Sequence, residues 1–138
     1  MATVARYIAV GAALAAAVLY VLIGFQVVAI GRSAQGGTPD LLGFGLAAGG
    51  FFAALAFLLA LARGRLVWIP VAAADLVIVI AYFAMANLRD PQFEVWGLTV
   101  KAVQLVMFGA LAYLAYRGRR APGDHQSWIP FYTRTLHS

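Results

Sequence analysis

Four apolar runs of about 20 residues or more fill most of this 138-residue chain, broken only by short polar stretches. Runs of that length match the hydrocarbon core of a bilayer. Lipid admits only structures that satisfy their own backbone hydrogen bonds, which for runs like these means helices. The expected fold is therefore all-α and integral to a membrane, with four transmembrane helices in an antiparallel bundle. The spans are predicted over residues 7–30, 41–62, 66–86 and 92–116, as one domain, 1–116, followed by a basic and aromatic tail over 117–138.

Composition supports this reading. The chain is 64% hydrophobic and only 11% charged, whereas a soluble domain is about half apolar and a quarter charged. There is no cysteine, so disulfides, thiolate metal sites and a cysteine nucleophile are excluded. The net charge of +5 comes from arginines clustered at the ends of the apolar runs. That pattern fits topology signals and anionic lipid headgroups, and no nucleic-acid partner is expected.

The breaks define the helix ends. The first run is longer than the h-region of a secretory signal and ends in "GRSAQGG", so it reads as a retained helix. "GRSAQGGTPD" then supplies Gly, Pro and Asp before the second span. "RGR", Arg63 to Arg65, is a tight turn predicted to make the second and third spans a hairpin. Pro70 falls in the first turns of the third span, where a missing N–H does least harm. Asp90 before Pro91 is the expected start of the fourth.

Orientation follows from the basic residues. Arg6, Arg63, Arg65, Arg117, Arg119, Arg120 and Arg134 lie on one side, and only Arg32 and Arg89 on the other. The excess places both termini in the cytoplasm. Tyr7, Trp68, Tyr113 and Tyr116 mark the inner interface, and Phe93 and Trp96 the outer one. In the tail, Arg117, Arg119 and Arg120 precede Trp128, Phe131 and Tyr132. This cluster is read either as headgroup contact or as a docking patch for another subunit, since Trp, Tyr and Arg are enriched at interface hot spots.

Small residues recur at helical spacing. Gly45, Gly49 and Ala53 in the second span, and Gly11 and Ala15 in the first, let helix backbones approach. They are candidates for packing inside the bundle or for a seam with a second chain.

Chemistry is concentrated in a few intramembrane polar residues. Asp75 stands alone as an acid within "VAAADLVIVIAYFAMA", where a charge costs about 2.5–3.5 kcal/mol on insertion scales. Lys101 and Gln104 share a face of the fourth span. At 1.5 Å per residue, Asp75 falls roughly 18 Å deep, Gln104 about 14 Å and Lys101 about 9 Å. Tyr82 lies two turns from Asp75 on the same side, toward the outer surface. This cluster is expected to clasp the third and fourth spans together, with Asp75 paired to Gln104, Lys101 or both. The alternative is a proton or ligand site. Gln26, near the outer end of the first span, is expected to make an interfacial or interhelical hydrogen bond.

Absences narrow the function. The histidines, His125 and His137, are both in the tail, so a histidine pair holding haem within the bundle is excluded. Together with Asp124 they lack metal-site spacing, and no phosphate-binding glycine loop occurs. No metal, cofactor or catalytic set is expected. The layout of four short spans with a basic cytoplasmic end resembles small bacterial membrane proteins, among them the DoxX-like four-helix group. The likeness lies in span count and length, and it carries over no functional residue. Nine arginines against one lysine point to a GC-rich bacterial genome.

The expected function is thus a non-catalytic accessory or assembly subunit of a larger complex in the bacterial cytoplasmic (inner) membrane. Its partners would be anionic headgroups and other membrane subunits or further copies of itself. A small proton-coupled carrier using Asp75, Lys101, Gln104 and Tyr82 is the alternative. A quinone- or lipid-binding protein is a third.

Overall fold

Alanine, leucine and valine dominate the apolar runs, and in the computed structural model each run becomes a helix. Residues 1–28, 32–33, 41–61, 64–85, 89–90 and 93–118 are described. Among them are helices α1 (Ala2–Gly24), α2 (Leu41–Leu61), α3 (Arg65–Ala84) and α4 (Val95–Arg117). Each is long and apolar enough to cross a membrane. A two-residue bridge, β1 (Arg32–Ser33) with β2 (Arg89–Asp90), pairs the α1–α2 connection with the α3–α4 connection, Arg32 opposite Asp90.

The helix ends differ from expectation in physically readable ways. α1 starts at Ala2 instead of residue 7, taking in Arg6. The cation is accommodated because Arg6 Nε donates to the Leu59 carbonyl at 2.9 Å and Arg6 Nη2 to that of Ala60. Those carbonyls lie in the last turn of α2, where no intrahelical donor remains. α1 also stops at Gly24, six residues short of the expected end at 30. Gln26 adopts φ +56°, its N–H donates to Ile23 O, and the Val27 N–H donates to Leu22 O. These are the two bonds of a Schellman cap, built here on glutamine in place of the usual glycine. Gln26 therefore lies beyond the helix, exposed, and not within a span as expected.

Corrections elsewhere are smaller. α2 is described to Leu61, residue 62 lying outside the described residues, and α3 runs 65–84 in place of 66–86. Gly64, with φ +146°, makes the sharp entry to α3 that a side chain would resist. α4 begins at Val95, not at 92, because Asp90 belongs to the bridge. Glu94 occupies the N-cap with extended backbone and no side-chain bond, and its charge complements the helix dipole. The tail residues Arg119, Arg120, Trp128, Phe131 and Tyr132 lie outside the described residues, as do His125 and His137.

Packing order is not chain order. α1 is central, lying against α2 on one side and α4 on the other, and α3 packs on α4. α2 and α3, although joined by a short turn and expected as a hairpin, share almost no packing. The core runs along the α1 alanines Ala9, Ala13 and Ala16, with Phe52 and Leu59 of α2 and Met107 and Leu111 of α4.

The small residues divide between two faces. Gly45 meets the backbone of Gly24, and a Cβ there would also stand 2.6 Å from the Tyr20 carbonyl. Gly49 faces Val21 and the Ala17 carbonyl. These contacts bring α1 and α2 to backbone distance. Ala53, Gly11 and Ala15 instead lie on the exposed surface, and among the described residues nothing approaches the Gly11 position within 4 Å. Of the two readings of these small residues, packing inside the bundle describes Gly45 and Gly49, which meet Gly24 and Ala17 of α1, whereas Gly11 and Ala15 take no part in that seam.

Candidate functional site

Among the described residues three polar side chains are buried in the core: Asp75 from α3, and Lys101 and Gln104 from α4. Their placement follows from helix geometry. Nine residues separate Asp75 from the end of α3 at Ala84, and nine separate Gln104 from the start of α4 at Val95. At 1.5 Å per residue both lie roughly 14 Å from the connection that joins the two helices. Asp75 and Gln104 are therefore level, and Asp75 is shallower than the sequence suggested.

Lys101 does not hold Asp75 by a direct hydrogen bond. Its ammonium donates to Gln104 Oε1 at 2.6 Å, one turn along the same helix, and to the Tyr20 hydroxyl of α1 at 3.1 Å. It also lies 5.1 Å from the Tyr82 ring centre and 5.8 Å from that of Tyr20, within cation–π reach of both. The Gln104 oxygen is thus committed to Lys101, and its amide side faces Asp75. Among the described residues neither Asp75 oxygen nor Gln104 Nε2 has a partner in good hydrogen-bond geometry, so the amide stands close to the carboxylate without a well-formed bond.

Two members of the cluster were not singled out from sequence. Tyr20 is stacked on Phe52 at 5.4 Å, with Phe44 edge-on at 5.7 Å, so α2 holds the ring whose hydroxyl meets Lys101. A signal existed, since Tyr20 carries the one polar side chain in the middle of the first run. Gly97 is the second: a Cβ there would stand 3.0 Å from Tyr82 Cζ, so glycine makes room for the tyrosine ring. No spacing rule marks that position, because the contact joins different helices.

The arrangement unites α1, α3 and α4 around one acid and one base. Burial of either charge alone would be costly, and the opposite charge nearby offsets part of that cost. Chemically the cluster can bind, orient and hold a proton; it presents no activated nucleophile. Comparison of the chain with family models, with curated proteins and with solved structures gives no match.

Proposed function

We propose that this chain is a non-catalytic multi-pass protein of the bacterial inner membrane that serves as an accessory or assembly subunit of a larger complex. In this reading the helices form an antiparallel bundle with both termini in the cytoplasm, and the polar cluster is a clasp fixing which helices meet. The observation that carries it is closure: Asp75 and Gln104 are 0% exposed and Lys101 4%, whereas a carrier needs water or substrate to reach its acid. The orientation draws support from the gathering of charge at one end. Arg117 Nη2 lies 4.0 Å from Met1 Sδ, and the Arg65 stem lies against Gly118. Basic residues at one end of a bundle favour the cytoplasmic side. The subunit role draws support from α2 and α3, which follow each other in the chain yet do not close on each other.

The test is the native mass of the protein extracted from its own membranes in mild detergent. Stoichiometric association with larger proteins is the expected result. A free monomer or small homo-oligomer would overturn the subunit role.

One observation favours a second reading, a proton-coupled carrier using Asp75 with Lys101, Gln104 and Tyr82. Among the described residues both Asp75 oxygens are buried with no partner in good hydrogen-bond geometry and only the Gln104 amide close by, which a finished clasp would not leave open. Proton-coupled flux in vesicles, abolished by Asp75→Asn in a protein that still inserts, would establish that reading. Flux unchanged by the substitution would remove it.

A further inference from the structure

The cavity at the basic end of the helices is separate from the Asp75 cluster and uses none of its residues. It has a volume of about 560 Å³, within the range typical of small-molecule sites. All four helices contribute to it. Its walls are apolar or aromatic: Val10 of α1, Ala60 of α2, Leu114 of α4 and the indole of Trp68 from α3. Tyr7 and the half-buried Arg6 supply its polar side.

Arg6 is held in place before any ligand arrives. Nε and Nη2 donate to the Leu59 and Ala60 carbonyls, which fix the guanidinium plane at the end of α2. A guanidinium has five N–H donors, so this anchoring leaves others for an anion. No acidic residue is among the described residues that line the cavity. Arg65 and Arg117 lie at the same end of the helices but outside the cavity lining, so Arg6 is the cation that faces the hollow. A fixed cation at the rim of an apolar hollow complements a molecule with an anionic head and a hydrocarbon tail.

We infer that this cavity is a binding site for one anionic phospholipid, its phosphate on Arg6 and an acyl chain between Trp68, Val10 and Leu114. Arginine suits this task because its planar fork matches phosphate oxygens, while Trp and Tyr settle at the headgroup level. The inference is independent of whether the protein is a subunit or a carrier.

Native mass spectrometry of the full chain released from vesicles of equal phosphatidylglycerol and phosphatidylcholine, with matched acyl chains, tests it. One phosphatidylglycerol should be retained in preference to phosphatidylcholine by about fivefold, the value of one well-placed arginine near a membrane surface. Arg6→Gln keeps an amide donor for the α2 carbonyls but removes the charge, and should bring the two lipids to parity. Ala60→Phe fills the cavity with Arg6 in place, and should lose the retained lipid. Arg117→Gln, outside the cavity, should leave the preference unchanged. Equal retention of both lipids by the unaltered chain would overturn the inference, as would unaltered preference in Ala60→Phe. Full displacement of the lipid by inorganic phosphate would also overturn it, since the tail would then contribute nothing. If Arg6→Gln does not fold, Ala60→Phe decides the matter alone.

Discussion

The Lys101 ammonium donates to the Tyr20 hydroxyl at 3.1 Å, joining the last helix to the first across 81 positions of sequence. The same ammonium holds Gln104 Oε1, so one lysine orients the amide that faces Asp75 and ties down the helix that packs on α2. Two polar contacts of the core therefore converge on Lys101.

Replacing Lys101 by Met is expected to cost about 3–5 kcal/mol, because a buried carboxylate loses the charge that balances it. Adding Asp75→Asn should recover part of the loss, making the double variant better than the sum of the singles by about 1 kcal/mol or more. Reversible unfolding in mixed micelles measures this cycle. Strict additivity would mean that the two groups do not interact.

Tyr20→Phe removes the hydroxyl but keeps the ring stacked on Phe52 and edge-on to Phe44. A hydrogen bond to a charged group contributes about 1.5–3 kcal/mol, and a loss in that range is expected. The same unfolding assay reports it, and a change near zero would show the ring alone to matter.

At the α1–α2 seam, Gly45→Ala drives a methyl into the Gly24 backbone and the Tyr20 carbonyl. Overpacking of this kind costs about 1–3 kcal/mol. Gly50, with open space around it, provides the control. Gly50→Ala should be neutral or stabilise by up to about 1 kcal/mol through helix propensity. Equal effects at the two positions would contradict the seam.

Gln26→Gly should raise the thermal midpoint. Gln26 sits at φ +56° in the cap that ends α1, a conformation costing a non-glycine residue about 1–2 kcal/mol. Some of that gain is offset by the greater freedom of glycine in the unfolded chain, leaving about 1 kcal/mol or less. A lowered midpoint would mean that the glutamine side chain itself holds the cap.

By itself the sequence determined that there are four helices long and apolar enough to cross a membrane, and where the polar breaks between them fall. Hydrophobic run length is a local property, and lipid leaves the backbone of such a run little choice but helix. It also marked Asp75, Lys101 and Gln104, because a polar residue stands out in an apolar run wherever it faces. Helix rise and the short α3–α4 connection put Asp75 and Gln104 within about 4 Å of the same depth, and the earlier end of α3 at Ala84 brought them level.

Tertiary structure decided the rest. Which helices touch is a matter of faces, and a short turn between α2 and α3 did not make them neighbours. The small-residue spacing was legible, but its facing was not: Gly45 and Gly49 turn inward while Gly11 and Ala15 turn out, since a repeat of four fixes a stripe without saying what it meets. The sequence grouped Asp75 with Gln104, Lys101 or both, but not the bond from Lys101 to Tyr20, which exists because α1 lies between α2 and α4 and brings a hydroxyl within reach. Arg6 at the α2 carbonyls and Gly97 beneath Tyr82 depend in the same way on contacts between helices distant in sequence. Run length and residue type are written along the chain, whereas partners are chosen by packing in three dimensions.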